Sequence, residues 1–427
     1  MSKASGQKAL SLRGAARVGE EAVLDTVSSP CSQVLIEQAP TAAPGVPNVP
    51  LDWPSTQIGE DRQMYQASAL GKHGLVGVAD FFSRRNLAAL AALRAAVEAV
   101  DDPKLRAKLM FAFTAILARA SKRYQWSRER PLNAANQTYY IAPVFYEWNV
   151  FDLFTRKVEA VVRSDEYIRS ERSARGVAGE LDVTYQVCSA ERLPLDDATV
   201  DYVFTDPPFG SNLFYSDMNL FQEAWLRRFT DHAREAVVDR SGSGPNRRTT
   251  NRYEELLAAA FKECWRALKP NGWMSVVFSN SSGEIWALLQ RSLGAAGFVV
   301  EAEGLTLLDK GQRSVKGLSS GTEGVVTADL IISIQKREHL AEAKVEPTKH
   351  DIDVLVGKIL SEGSFATPSH VYLAVVRESL HRHFDMAALD YSAVLSALRA
   401  RGLTIHPATG RLDFAASAGT QLGAWDG

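Results

Sequence analysis

From residue 181 onward the chain alternates between two periodicities, and few folds accept that pattern. The short apolar runs "LDVTYQVC", "VDYVFT", "GWMSVVF", "FVVEAEGLTLL" and "ADLIISIQK" read as strands. Between them lie a helix over 217–230 and the helical stretches "YEELLAAAFKECWRAL" and "IWALLQRSLGAAG". Such alternation predicts an open α/β sheet with helices on both faces. Ligands of these sheets bind beyond the carboxyl ends of the strands. There, directly after "VDYVF", the sequence places "TDPPFG", residues 205–210.

An acid, two prolines and an aromatic ring in a row make a stiff corner. Pro207 and Pro208 have fixed φ and no N–H, so the carbonyls around them are offered as acceptors without competing donors. Asp206, when ionised, also only accepts. A group with two N–H donors fits between Asp206 and the Pro207 carbonyl, and the exocyclic amine of a nucleobase is such a group. Accepting both hydrogens favours a tetrahedral nitrogen whose lone pair can attack a methyl donor, an instance of electrostatic preorganisation. Phe209 can stack on the base and offset a cost of a few kcal/mol for taking it out of a duplex. Gly210, Ser211 and Asn212, with Phe214 and Tyr215 after them, suit an open pocket for a flat ring. The plainer alternative is a Pro-Pro turn that ends a strand, with Asp206 capping the next helix.

"FTDPPFG" resembles motif IV, [NDS]PP[YFW], of the amino-group DNA methyltransferases, which methylate adenine N6 or cytosine N4 from S-adenosylmethionine. The blocks "SAERLPLDDATVDYVFTDPPFGSNLFYSDMNLFQEAWL", "ALKPNGWMSVVFSN", "GQRSVKG" and "TADLIISIQK" are similar to consecutive blocks of large bacterial DUF1156-type adenine-specific DNA methylases. "FFSRRNLAALAAL", "FTAILARASKRYQW" and "TYYIAPVFYEWNVFDLF" resemble the helical region that precedes motif IV in that family, so the likeness covers residues 75 to 340. It implies a Rossmann-like S-adenosylmethionine methyltransferase sheet acting on DNA. Asp206, Pro207 and Pro208 would hold the amine and Phe209 would stack. Ser189 and Ala190, with Asp206, would lie on the cofactor side. The leading Asp tilts the choice toward adenine N6.

The glycine-rich turn D-x-F-x-G-x-G, through which such enzymes hold the methionine end of the cofactor, is missing. Glycine there lets backbone approach the ligand at a helix N-terminus. "GKHGLVGVADFF" has glycines but no strand before them, and "ATGRLDF" lies at the wrong end. The sheet is thus expected to lack its first strands. Either a second polypeptide completes a split enzyme, or the chain is a truncated, inactive nucleic-acid-binding subunit. The same chemistry on RNA or protein is a further alternative.

Around this core the sequence divides into a disordered leader rich in Ala, Pro, Ser and Gly (1–60), a helical region (61–175), the catalytic domain (176–340) and a small tail (345–420). In the helical region Leu87, Leu90, Leu93, Val97 and Val100 share a face, as do Leu105, Leu109, Phe113 and Leu117. Ser83 or Asp80 caps the first of these helices, and Asn149 caps a third, "VFDLFTRKVEAVVRS". The tail's helices and a hairpin turning at "HPATGR" resemble a winged helix.

With 427 residues, a net charge of -2 and 46% hydrophobic residues, the chain carries no global charge for nucleic acid. Phosphate binding must come from local patches, such as Arg247 and Arg248 in the Arg-rich stretch after the corner. Three scattered cysteines make neither a disulfide framework nor a metal site, and fit a reducing cytoplasm. No apolar run approaches the ~18 residues of a membrane helix. No targeting segment is read, and no metal is expected.

Overall fold

A computed structural model describes residues 52–68, 74–126, 132–133, 139–176, 184–210, 213–239, 248–309, 326–337, 351–363, 365–406 and 410–414. Contacts divide the chain into two units, Met1–Val183 with Phe214–Glu235, and Thr184–Leu213 with Ala236–Gly427. The chain leaves the second unit just after the Asp-Pro-Pro-Phe corner and returns at Ala236. Most of the expected leader lies outside the described residues. Residues 52–60 are not leader-like, since Ile58 is buried and donates its N–H to Val76 O at 2.7 Å.

The first unit is helical: α1 (Gln63–Ser68), α2 (Arg84–Glu98), α3 (Pro103–Ala120), α4 (Val150–Ala174) and α5 (Tyr215–Leu226), with a short antiparallel pair β1 (Tyr124–Gln125) and β2 (Leu132–Asn133). Local signals fix the helix starts. The hydroxyl of Ser83 accepts from Asn86 N, Asp102 caps α3 ahead of Pro103 at its first turn, and Asn149 caps α4. Leu87, Leu90, Leu93 and Val97 are buried as their spacing requires. Leu105, counted on an apolar face by spacing alone, is exposed.

Sequence reading places the helix after the corner, α5, with the catalytic sheet, but its contacts lie in the helical unit. Fully buried Asp217 explains why: it pairs with Arg62 at 3.1 Å and accepts from Met64 N at 2.9 Å, while Tyr139 donates to its carbonyl. A buried polar group is tolerated when hydrogen-bond partners such as these surround it.

The second unit holds a four-stranded sheet, β3 (Val200–Thr205), β4 (Leu268–Phe278), β5 (Leu305–Asp309) and β6 (Ala328–Gln335), in the order β3-β4-β6-β5. The pair β3 and β4 is parallel, whereas β6 runs antiparallel to both its neighbours, so the α/β sheet is mixed. One face is dry: Met274, Val276, Phe278, Leu330, Ile332 and Ile334 are at most 2% exposed. They share a core with Tyr253, Leu257 and Phe261 of α6 (Thr250–Ala267) and with Trp286, Leu289 and Leu293 of α7 (Gly283–Ala295).

The sheet departs from expectation in two places. Helices on both faces were predicted, yet on the second face Tyr202, Phe204, Trp273 and Leu308 are 52%, 64%, 43% and 39% exposed. "LDVTYQVC" reads as a strand, but its described part, 184–188, belongs to none, and Tyr185 and Val187 are 88% and 83% exposed. β-propensity needs a neighbouring strand to act on.

Three helices follow, α8 (Ile352–Glu362), α9 (Pro368–His381) and α10 (Tyr391–Ala400), then the antiparallel hairpin β7 (Leu403–Ile405) and β8 (Leu412–Phe414). They share the sheet's core: Val371, Tyr372, Val375, Val376, Tyr391 and Val394 belong to the same buried cluster. Gly283 N donates to Asp390 Oδ1 at 2.8 Å and Tyr391 N to Ser281 O at 2.9 Å, tying these helices to the start of α7.

Candidate active site

The corner lies at the carboxyl end of β3, where strand periodicity stops because two prolines cannot donate to the ladder. Asp206 is exposed, Pro207, Pro208 and Phe209 are half-buried and Gly210 is buried. The corner thus runs from a solvent-exposed first residue to a buried last one.

Donors from three separate places hold three consecutive carbonyls. The hydroxyl of fully buried Tyr253, on α6, donates to Pro208 O. The amide of Asn280, in the turn after β4, donates to Phe209 O at 2.8 Å. Val238 N donates to Gly210 O at 3.3 Å. Among the described residues no donor reaches the Pro207 carbonyl, so the acceptor predicted for an incoming amine lies outside this clamp.

Asn280 is itself fixed. Its Oδ1 accepts from Ser282 N at 2.8 Å and its carbonyl from Trp286 Nε1 at 3.0 Å. Gly210 adopts φ +75°, and a Cβ there would lie 3.3 Å from Ile285 Cδ1. The positive φ favours glycine, and a Cβ would also press on the end of the Ile285 side chain. The signal for Asn280 was present as a Ser/Asn cluster after a strand. Tyr253 carried no signal beyond being one aromatic of an amphipathic helix.

Phe209 packs edge-on against Phe278, with ring centroids 5.0 Å apart at 67°. The ring anchors the corner to the core and is only half-buried. Ser189 and Ala190 are exposed. They form a tight turn in which the Ser189 hydroxyl accepts from Glu191 N at 3.2 Å and donates to the Glu191 carboxylate at 3.3 Å. Tyr215 belongs to the helical unit, at the start of α5. Ser211, Asn212 and Arg247 lie outside the described residues.

Arg248 is a correction. Expected to track phosphates, it is 3% exposed, and its backbone N and Nε donate to Asp239 Oδ2 and Oδ1, both at 2.9 Å. Asp239 N returns a bond to Arg248 O at 2.9 Å, closing a reciprocal clamp. Buried in this way, the guanidinium is engaged by Asp239. Among the described residues no cluster of three metal-ligating side chains occurs, and no helix is long and apolar enough to cross a membrane.

No family model matches the chain, and no curated protein does. Among solved structures it is similar to a Thermus thermophilus protein named "Putative DNA Modification Methylase", with 16% identity and a TM-score of 0.21 over 41% of this chain and 62% of that one. The selenomethionine form of the same protein gives 14% identity and a TM-score of 0.20, over 39% and 57%. The chain thus spans less than two thirds of that protein's length.

Proposed function

We propose that this chain is the amine-holding part of an S-adenosylmethionine-dependent DNA methyltransferase, with adenine N6 as its acceptor. The observation that carries the reading is the clamp: donors occupy the carbonyls of Pro208, Phe209 and Gly210, while Asp206 is exposed at the strand end. An amine with two hydrogens is then gripped between the Asp206 carboxylate and the Pro207 carbonyl. Its nitrogen is driven toward a tetrahedral shape with the lone pair directed outward. The outer part of the Phe209 ring stacks on the base.

The described residues suit the acceptor and not the whole methyl donor. A cofactor's carboxylate tail needs a glycine-bearing helix N-terminus with open N–H groups. The candidate beside the corner is Gly283 at the start of α7, and its N–H is taken by Asp390. The Ser189 turn presents Glu191 instead of open donors. Binding of the donor's carboxylate tail is therefore not ascribed to the described residues.

The test is nucleoside mass spectrometry of DNA from cells lacking adenine methylation that express the full chain with its genomic neighbours. N6-methyladenine is expected with the natural sequence, and a loss of at least about 100-fold with Asp206→Ala, since one preorganised acceptor is worth that much. Undiminished methylation by Asp206→Ala rejects the assignment. The second reading, a nucleic-acid-binding subunit without activity, is favoured by the same misfit at Gly283. It predicts DNA binding with no methylated base in any combination.

A further inference from the structure

We propose that a slot at the edge of the four-stranded sheet, between Trp273, the end of β6 and the 297–304 segment, binds an alkylguanidinium group. Trp273 stands level with Tyr202, four residues ahead of Asp206, so the slot lies toward the other end of the strands and its chemistry does not depend on methyl transfer. It exists because β5 stops short. Leu305, the first residue of β5, pairs with Ile332, and before it the chain turns aside through Ala302–Gly304. β6 runs on through Ser333, Ile334 and Gln335, still paired with β4. Lys336 exchanges backbone bonds with Asn271 and Gly272 on the β4 side, so by strand alternation Gln335 turns its N–H and C=O toward the opposite edge. Among the described residues no backbone group meets them there. The gap is a cavity of about 130 Å3. Gly304 bounds it on the β5 side, so close to β6 that a Cβ would lie 2.0 Å from Ser333 O.

The walls select the ligand. Trp273 is 43% exposed, and among the described residues its ring has neither an aromatic partner nor a cation over it. Arg337 is already committed: its Nη1 donates to Glu301 Oε1 at 2.6 Å and its Nε to Gln335 Oε1 at 3.0 Å. Gln335 Nε2 in turn donates to Asn271 O at 3.0 Å, which fixes that side chain. Glu303 lines the same slot, is exposed, and has no ion-pair partner among the described residues. Two carboxylates against one matched guanidinium leave an excess of negative charge, which repels phosphates and carboxylates. A metal ion is poorly served, since no cluster of three ligating side chains occurs among the described residues. An open indole face, an unpaired carboxylate and a strand-edge carbonyl together suit a flat cation with several N–H donors. A guanidinium stacks on the ring while its fork reaches both acceptors. An ammonium, a compact point charge, does not combine the two contacts.

The experiment titrates the full chain calorimetrically, at low ionic strength, with n-propylguanidinium, with n-propylammonium and with the peptide acetyl-Gly-Arg-Gly-amide. Saturable one-to-one binding of propylguanidinium, tighter than that of propylammonium, is expected. Glu303→Gln changes an exposed side chain outside the core and should weaken binding about tenfold or more, the worth of a hydrogen bond to a charged group. Trp273→Leu should weaken it as well, with the thermal midpoint of each variant measured alongside. No saturable binding, equal affinity for the ammonium, or an unchanged affinity in Glu303→Gln overturns the proposal. The peptide separates two sources of the same group: binding at least as tight as propylguanidinium supports the slot with a peptide arginine as its ligand, and exclusion of the peptide while propylguanidinium binds supports it with a small molecule. Asp206→Ala provides the remaining control. It should bind propylguanidinium as the natural sequence does, whereas loss of binding there would put the cation at the corner and overturn the slot.

Discussion

Tyr253 and Asn280 hold neighbouring carbonyls of the corner by different means, and Tyr253 gives the cleaner test. Tyr253→Phe keeps the ring in the core and removes the hydroxyl that donates to Pro208 O. Leaving that acceptor unmatched is expected to cost about 1 to 3 kcal/mol, read as a lower urea midpoint with unchanged slope. An unaltered midpoint would show that water replaces the hydroxyl. Arg248 and Asp239 form a buried pair whose side chains are 4% and 7% exposed. Asp239→Ala strands the guanidinium without its carboxylate, with an expected loss of about 3 to 5 kcal/mol. A fall below about 1 kcal/mol, as for a surface pair, would mean that the loop opens to solvent. Neither member is expected to touch a phosphate, so salt-dependent DNA binding should keep its slope in any folded Arg248 variant.

The start of α7 is the element on which the corner and the C-terminal helices both depend. Asn280 ends the clamp there, Trp286 bonds back to Asn280 O, and Asp390 caps Gly283. A Cβ on Gly283 would lie 2.1 Å from Met386 O and 2.6 Å from Leu389 N, both backbone atoms that cannot simply rotate away. Gly283→Ala is therefore expected to destabilise the second unit by about 1 to 3 kcal/mol, the usual cost of overpacking. Thermal unfolding checks it, and an unchanged Tm would show that the 386–389 segment yields without strain. The helices α8 to α10 act here as part of the sheet's core, so removing them should unfold the unit and not merely shorten it.

Across the whole molecule, acid sensitivity should track carboxylates engaged by arginine. Glu263 is held below its ordinary value of 4.5, chiefly by the Arg266 hydrogen bond and then by Leu193 N. A carboxyl lowered in the folded state adds stability above that ordinary value and loses it as pH falls through the folded one. The natural sequence should thus lose an increment of stability below about pH 4.5 that Glu263→Gln lacks. Equal pH slopes for the two would remove Glu263 from the account. On the alkaline side Cys264, pushed up to about 11 by burial, should resist alkylation at neutral pH, while exposed Cys188 reacts.

The sequence by itself determined what depends on near neighbours along the chain. Helix caps at Ser83 and Asn149, the strand before Asp206, the proline-stiffened corner and the C-terminal hairpin are all set by spacing, φ restriction and local donors, and could be read directly. Only the tertiary structure decided what depends on distant partners. Nothing local in Tyr253 says that its hydroxyl ends on Pro208, or in Asp217 that it draws α5 into the helical unit. Arg248 looks in sequence like any surface arginine until Asp239 closes on it. "LDVTYQVC" fails as a strand for the same reason: a strand is a relation between two segments, and its own sequence supplies only one of them.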